Sequence, residues 1–199
     1  MRLIGFCVEK SYWLLVYEYM SNGSLDRWVF EKNLGILLDW QCRMKIVLDI
    51  ARGLTYLHEE CRQKIVHLDI KLQNILLDEN FNAKVSDFGL SKLVDRDQSQ
   101  VVTIMRGTLG YMAPEWLSPV ITENVEIYNF GVVLLEILCG RRNIDRSQPK
   151  EAVHLLDLFK KKIEEEQLLD LIDKYNEDMQ LHGVEVVNTM RVCSMVLAK

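Results

Sequence analysis

The sequence predicts an α+β fold, with two short strands leading into a mostly helical body, and three observations carry that prediction. Two β-type apolar runs, at residues 2–8 and 13–17, flank a polar turn at Glu9-Lys10-Ser11. Further on, Ile46, Ile50, Leu54 and Leu57 recur at helical spacing. Between the helical parts runs a 29-residue loop from Asp87 to Glu115, long enough that a functional role is the default reading. In chain order, a short helix begins at Ser24 and a long one covers about 40–58, with Asp39 as its N-cap. A polar loop at 67–74 precedes short strands at 75–77 and 83–85. From Thr122 the character is helical, and Val132, Val133, Leu135, Glu136 and Leu138 make a helix apolar nearly all round. Such a helix belongs at the centre of a domain. The tail from Glu151 is amphipathic and highly charged; Lys160-Lys161-Lys162 and Glu164-Glu165-Glu166 place Lys four residues before Glu three times. That is the weaker order for helix pairs, and the run reads as a solvated face.

Length and composition narrow the class. A chain of 199 residues, 49% hydrophobic and 27% charged, fits one soluble globular domain able to bury a core. A net charge of -5 argues against bulk neutralisation of nucleic-acid phosphates. Five scattered cysteines, with no C-x-x-C pair, read as reduced thiols of a cytoplasmic chain, without a disulfide frame or zinc site. The start, Met1-Arg2-Leu3, lacks the apolar segment of a signal peptide. The longest apolar stretch, 130–139, contains Glu136 and is about half the ~20 residues of a bilayer span, so no membrane segment is expected.

The chemistry is concentrated in ordered motifs. His67-Leu68-Asp69-Ile70-Lys71-Leu72-Gln73-Asn74 is followed, 13 residues after Asn74, by Asp87-Phe88-Gly89, and then by Ala113-Pro114-Glu115. Phosphoryl transfer needs a carboxylate to orient a hydroxyl, a cation near the moving phosphate and two oxygen ligands for Mg²⁺. Asp69, Lys71, Asn74 and Asp87 supply those parts in order and at the required spacing. Taken singly, Asp69 could be an Asp in a polar turn, Lys71 a solvated lysine and Asn74 a turn-former. Three ordered motifs are far more specific than any one of them.

On these residues the chain resembles a Ser/Thr protein kinase domain of the plant receptor-like kinase family, in particular its lectin S-receptor-like branch. Leu3-Ile4-Gly5-Phe6-Cys7, Leu15-Val16-Tyr17-Glu18-Tyr19-Met20 with Ser21-Asn22-Gly23-Ser24-Leu25, and Gly110-Tyr111-Met112-Ala113-Pro114-Glu115-Trp116 carry the likeness. Phe130-Gly131-Val132-Val133-Leu134-Leu135-Glu136-Ile137 completes the set. The resemblance implies a protein-kinase-like fold: residues 1–20 would be a remnant of the small lobe and the hinge, and residues 21–199 the large lobe, ending before its last helix. It implies ATP and Mg²⁺, and transfer of the γ-phosphate to Ser/Thr hydroxyls of a protein substrate. Asp69 would be the base, Lys71 would sit over the γ-phosphate, and Thr108 would contact the catalytic loop and help select Ser/Thr. Asn74 and Asp87 would hold Mg²⁺. Tyr17 falls at the gatekeeper, Glu18 to Met20 at the adenine hinge and Leu76 at the pocket floor, although an ordinary core role also accounts for these positions. Relatives are anchored in the plasma membrane through a segment upstream, with the kinase domain in the cytosol.

Several positions depart from the family pattern. No G-x-G-x-x-G occurs, and the lysine and glutamate that clamp the α/β-phosphates would precede Met1. One such electrostatic contact is typically worth ~3 kcal/mol, or 10²–10³ in rate. Glu126 stands where an Asp usually holds the catalytic loop, and Leu68 replaces the usual Arg, so loop phosphorylation at Ser99 or Thr103 would lack its standard partner. Glu115 normally pairs with an arginine that would follow Lys199, and Leu72 stands where the family often has Pro. Two strands do not complete a five-stranded sheet, and an open edge invites pairing. A second reading is therefore a catalytically dead kinase-like interaction module, with a protein partner completing the missing lobe.

Overall fold

In the computed structural model the described residues are 1–31, 37–96, 101–102, 107–113 and 120–197. Pro114, Glu115, Trp116, Ser99 and Thr103 lie outside them, and with them the pairing expected of Glu115.

The chain opens with an antiparallel hairpin, β1 (Leu3–Glu9) and β2 (Tyr12–Tyr17), turned by Lys10 at φ +52°. Its apolar side chains face solvent on both sides, among them Phe6, Trp13 and Leu15. A short helix α1 (Leu25–Phe30) follows, and then α2 (Trp40–Thr55). Asp39 caps α2 as expected, its carboxylate accepting from the Cys42 amide at 2.7 Å. Ile46, Ile50 and Leu54 form its buried stripe. The long helix was expected to run to His58 as one piece. Instead α2 passes into a π-helical turn, Tyr56–Glu60, closed by the Cys61 amide on the Tyr56 carbonyl at 3.1 Å. The wider turn carries His58 against Glu126.

Four short strands follow: β3 (Lys64–Val66), β4 (Ile75–Leu77), β5 (Ala83–Val85) and β6 (Lys92–Val94). β4 pairs with β5, and β3 pairs with β6. The stretch after Asp87, expected as an irregular loop, thus starts with a 3₁₀ turn (Phe88–Leu90) and a strand. Further along, β7 (Val101–Val102) pairs with β8 (Val120–Ile121). Pairing partners distant in sequence leave little local signal, which is why these strands escaped the periodicity reading.

Helix α3 (Asn124–Cys139) is the axis of the fold, and 12 of its 16 residues are buried. It packs against α6 (Gly183–Leu197), while α4 (Leu155–Glu164) and α5 (Glu177–Leu181) close the far end. Gly140 ends α3 at φ +63°, where a Cβ would lie 2.3 Å from the Asp173 carboxylate, so only glycine fits. Asp173 in turn pairs with Arg43 of α2 at 2.7 Å, both side chains being at most 6% exposed. In the charged run, Lys161 meets Glu165 at 3.8 Å, whereas Lys162 reaches Asp170 at 2.8 Å. α4 stops at Glu164 and Glu166 sits at φ +57°, so the third expected pair is out of helical register.

Leu68, where a polar residue is usual, lies at φ +68° and is buried with Val66, Val94, Ala113 and Val125. Here it is a core residue of a small satellite cluster.

Candidate active site

Asp69, Lys71, Asn74 and Thr108, singled out from the sequence, meet in one hydrogen-bonded cluster. The turn Leu72–Asn74 is closed by the Asn74 amide on the Lys71 carbonyl at 3.0 Å, which brings both side chains back toward Asp69. Lys71 Nζ donates to Asp69 Oδ2 at 2.7 Å and to Thr108 Oγ1 at 3.0 Å. Thr108 Oγ1 donates to Asp69 Oδ1 at 2.7 Å, and Asn74 Nδ2 donates to Asp69 Oδ2 at 3.0 Å. Burial alone would raise the Asp69 carboxyl; the bonds from Lys71 and Thr108, the Lys71 charge and the Asn74 bond outweigh it and hold the group below its ordinary range. The carboxylate is therefore ionised at neutral pH and fixed in direction.

His67 is the keystone beneath this cluster, a role the motif alone did not reveal. It is fully buried, and its Nε2 donates to the Ser86 carbonyl at 2.8 Å while Nδ1 accepts from the Asp69 amide at 3.3 Å. Those partners select the Nε2–H tautomer. The ring also meets Phe88 edge-on, with centroids 4.9 Å apart. Ser86 bonds the Asn74 carbonyl through both its amide (2.8 Å) and its Oγ (2.9 Å). Since Ile75 pairs with Val85 across β4 and β5, Asn74 and Asp87 emerge at the same end of that hairpin.

These two residues fit Mg²⁺ on chemical grounds. The Asn74 side-chain amide donates through its nitrogen to the Asp69 carbonyl and carboxylate, and its oxygen suits a hard metal ligand. Asp87 is exposed at φ +62°, its carboxylate held only loosely by the Gly89 amide at 3.4 Å. One carboxylate and one amide oxygen suit an ion that keeps waters and phosphate oxygens in its other positions.

The expected hinge residues form a separate strip. Tyr17 is half-buried at the end of β2, Tyr19 is 88% exposed and Met20 is buried. Asn22 and Gly23 hydrogen-bond the backbone of Leu77, which lays the segment after β2 alongside half-buried Leu76. The Glu18 side chain accepts from Lys84 Nζ at 3.0 Å and the Arg2 amide at 2.6 Å, and the Lys84 bond chiefly lowers its carboxyl.

Glu126, where the family resemblance led to the expectation of an Asp, reaches the backbone of the 67–74 loop. It is fully buried on α3, and Oε1 accepts from the His67 amide and, at 2.8 Å, from the Leu68 amide. Its Oε2 meets His58 Nε2. The extra methylene spans to the catalytic-loop backbone and still leaves one oxygen for the π-helical turn.

Beside the cluster, a cavity of about 400 Å³ is lined by Lys71, Thr108, Gly110, Tyr111, Glu136 and Ile144. Glu136 accepts from the Tyr111 hydroxyl at 2.6 Å and the Asn143 amide at 2.7 Å. A lone acid in an apolar helix was the signal for such a residue. Burial pushes the Glu136 carboxyl up from its ordinary 4.5 to about 7, against the two bonds and the Arg142 charge, with Asp26 adding to the rise. A raised folded-state value means that the folded chain holds a proton which the unfolded chain releases. The contribution is therefore fully present below about pH 4.5 and is lost as pH rises to about 7. Stability should fall by roughly 3 kcal/mol across that window from this group alone. Melting temperatures between pH 4.5 and 7 test this: Glu136→Gln should flatten the slope, and an unchanged slope would assign it elsewhere.

The five cysteines are free, and burial raises the thiols of Cys139 and Cys193. Among the described residues, no helix is long and apolar enough to cross a membrane.

Comparison with known proteins adds an independent line. The family described as "Protein kinase domain" matches residues 1–187. The G-type lectin S-receptor-like serine/threonine-protein kinase SD2-5 of Arabidopsis thaliana is 50% identical over 192 residues, covering 96% of this chain and 23% of that protein. A rice relative, the G-type lectin S-receptor-like serine/threonine-protein kinase LECRK4 of Oryza sativa subsp. indica, is 52% identical over 156 residues, covering 78% of this chain and 19% of its own length. The chain thus spans less than a quarter of the curated relatives it matches.

Proposed function

This chain belongs to the protein kinase domain family, and from that premise we propose that it carries the acceptor-activating and metal-holding part of a protein Ser/Thr kinase. The supporting observation is the Asp69 carboxylate, ionised and bonded at once by Lys71, Thr108 and Asn74. In the proposed reaction a Ser or Thr hydroxyl of a protein substrate is oriented by Asp69, which takes its proton. The hydroxyl oxygen forms a new bond to the γ-phosphorus of ATP, the bond to the bridging oxygen breaks, and ADP leaves. Lys71 stands beside Asp69 and supplies positive charge where negative charge builds up. Mg²⁺ held by Asn74 and Asp87 would neutralise the phosphate oxygens. Tyr17, Glu18, Met20 and Leu76 would bound the adenine. Thr108, in contact with both Asp69 and Lys71, would help select Ser/Thr acceptors. Residues 1–20 would be the small-lobe and hinge portion and 21–199 the large lobe. In a receptor-like protein of the relatives' length, this part would face the cytosol, with its anchor elsewhere.

A second reading, a kinase-like interaction module without turnover, is favoured by the hairpin. Phe6, Trp13 and Leu15 are 73%, 79% and 62% exposed, an apolar surface suited to a protein partner that completes the small lobe.

Transfer of labelled γ-phosphate from Mg-ATP to a Ser/Thr substrate separates the two. It should be measured for this chain and for the chain extended at its N-terminus by strands and a helix bearing a Gly-rich loop and lysine. Asp69→Asn should lower transfer by about 10²–10⁴ in the extended form. No transfer by the extended, folded protein would leave the interaction module standing, whereas transfer left unchanged by Asp69→Asn would overturn the role given to Asp69.

A further inference from the structure

We propose that Asn143 is a positioning residue for phosphoryl transfer: it holds the turn of residues 108–111 against the core so that Thr108 meets Asp69. The inference rests on the kinase reading above. Asn143 lies in the connection between α3 and α4 and is 7% exposed. All four of its polar groups are engaged. Nδ2 donates to the Gly110 carbonyl, and the backbone amide donates to Glu136 Oε1 at 2.7 Å. Oδ1 accepts from the Leu156 amide at 3.2 Å, and the carbonyl accepts from the Leu155 amide at 2.8 Å. One residue therefore ties the turn to α3 and to the start of α4.

Among the described residues, two other bonds tie the far end of the turn to α3. The Tyr111 hydroxyl donates to Glu136 at 2.6 Å, and the Tyr111 carbonyl accepts from Asn129 at 2.7 Å once that amide is oriented to satisfy its neighbours. Asn143 acts one residue nearer to Thr108, on a glycine at φ +95°. A Cβ there would lie 3.0 Å from Ile144 Cδ1, so the turn also packs on the residue next to Asn143. Inside the turn, the Tyr111 amide donates to the Thr108 carbonyl at 3.1 Å, which couples a shift of Gly110 to Thr108. Thr108 Oγ1 then reaches Asp69 at 2.7 Å. Asn143 and Thr108 both line the cavity beside Asp69, so a displaced turn also changes the space open to an acceptor peptide.

The informative variant is Asn143→Asp. It keeps the acceptor for the Leu156 amide but sets a carboxylate oxygen against the Gly110 carbonyl. In the chain and in its extended form, amide exchange over residues 107–113, kcat, and the KM values for acceptor and for ATP should be measured. Exchange at 107–111 should quicken while α3 stays protected. The kcat should fall about tenfold to a hundredfold with a raised acceptor KM and an unmoved ATP KM. Unchanged exchange at 107–111 overturns the proposal, and so does a lower melting temperature with kcat intact. Asn143→Ala, which removes the donor to Gly110 together with the acceptor for the Leu156 amide, serves if the Asp variant fails to fold. A wild-type protein that transfers no phosphate would sink the kinase reading first; an active wild type indifferent to Asn143→Asp sinks this one alone.

Discussion

Glu126→Ala should cost about 3–5 kcal/mol of folding stability, since each buried N–H left without an acceptor costs ~1–3 kcal/mol. Glu126 is the acceptor for the His67 and Leu68 amides and the partner of His58, all within a fully buried site. For a domain of this size, the loss translates into a melting temperature lower by roughly 10 °C. Catalysis should fall further than stability requires. Leu68 sits at φ +68° immediately before Asp69, a conformation that a branched side chain keeps only when its surroundings impose it. Once the carboxylate is gone the loop can relax, and transfer by the folded fraction should drop at least about tenfold. Glu126→Asp should also lower activity or leave it unchanged, because the shorter side chain gives up either the loop amides or His58. A faster Glu126→Asp enzyme, or a Glu126→Ala protein as stable as the wild type, would contradict the assignment.

Arg43→Ala is the second large effect expected, about 3–5 kcal/mol from breaking a buried ion pair on one side. Arg43 is 1% exposed; Nη2 pairs with Asp173, Nε donates to the Leu38 carbonyl at 3.1 Å, and Nη1 donates to the Ile137 carbonyl. Its removal leaves the buried Asp173 carboxylate, packed against Gly140, without its ion-pair partner. The double change Arg43→Met with Asp173→Leu should be much milder, as no charge is then left buried. Denaturant unfolding of the four proteins in that cycle measures the coupling. Additive single effects would mean that the pair contributes through packing alone.

Legibility varied with the range of the interaction. Helix α2 and its Asp39 cap were readable because capping and a 3.6-residue stripe act within a few positions. Helix α3 was readable from its apolar sides. β6 was not, since Lys92–Val94 is a strand only by virtue of pairing with Lys64–Val66. Within the site, Asp69, Lys71, Asn74 and Asp87 stood out because their chemistry and spacing are coded in one short stretch. Asn143 and the work of His58 did not, as amide and imidazole groups give no sign of what they will face. Glu126 was noticed as a substitution, but whether it reached the loop depended on where α3 lies.

The sequence by itself determined the family, the α+β class and the order of the chemical groups, because ordered motifs and local periodicity are properties of neighbours along the chain. Only the tertiary structure decided that Leu68 is core, that Glu126 accepts from amides 58 and 59 residues away, and that Asn143 reaches Gly110 across 33 residues. Each of those bonds depends on ångström-scale distances between separate elements, and the packing of α3 against its neighbours sets those distances.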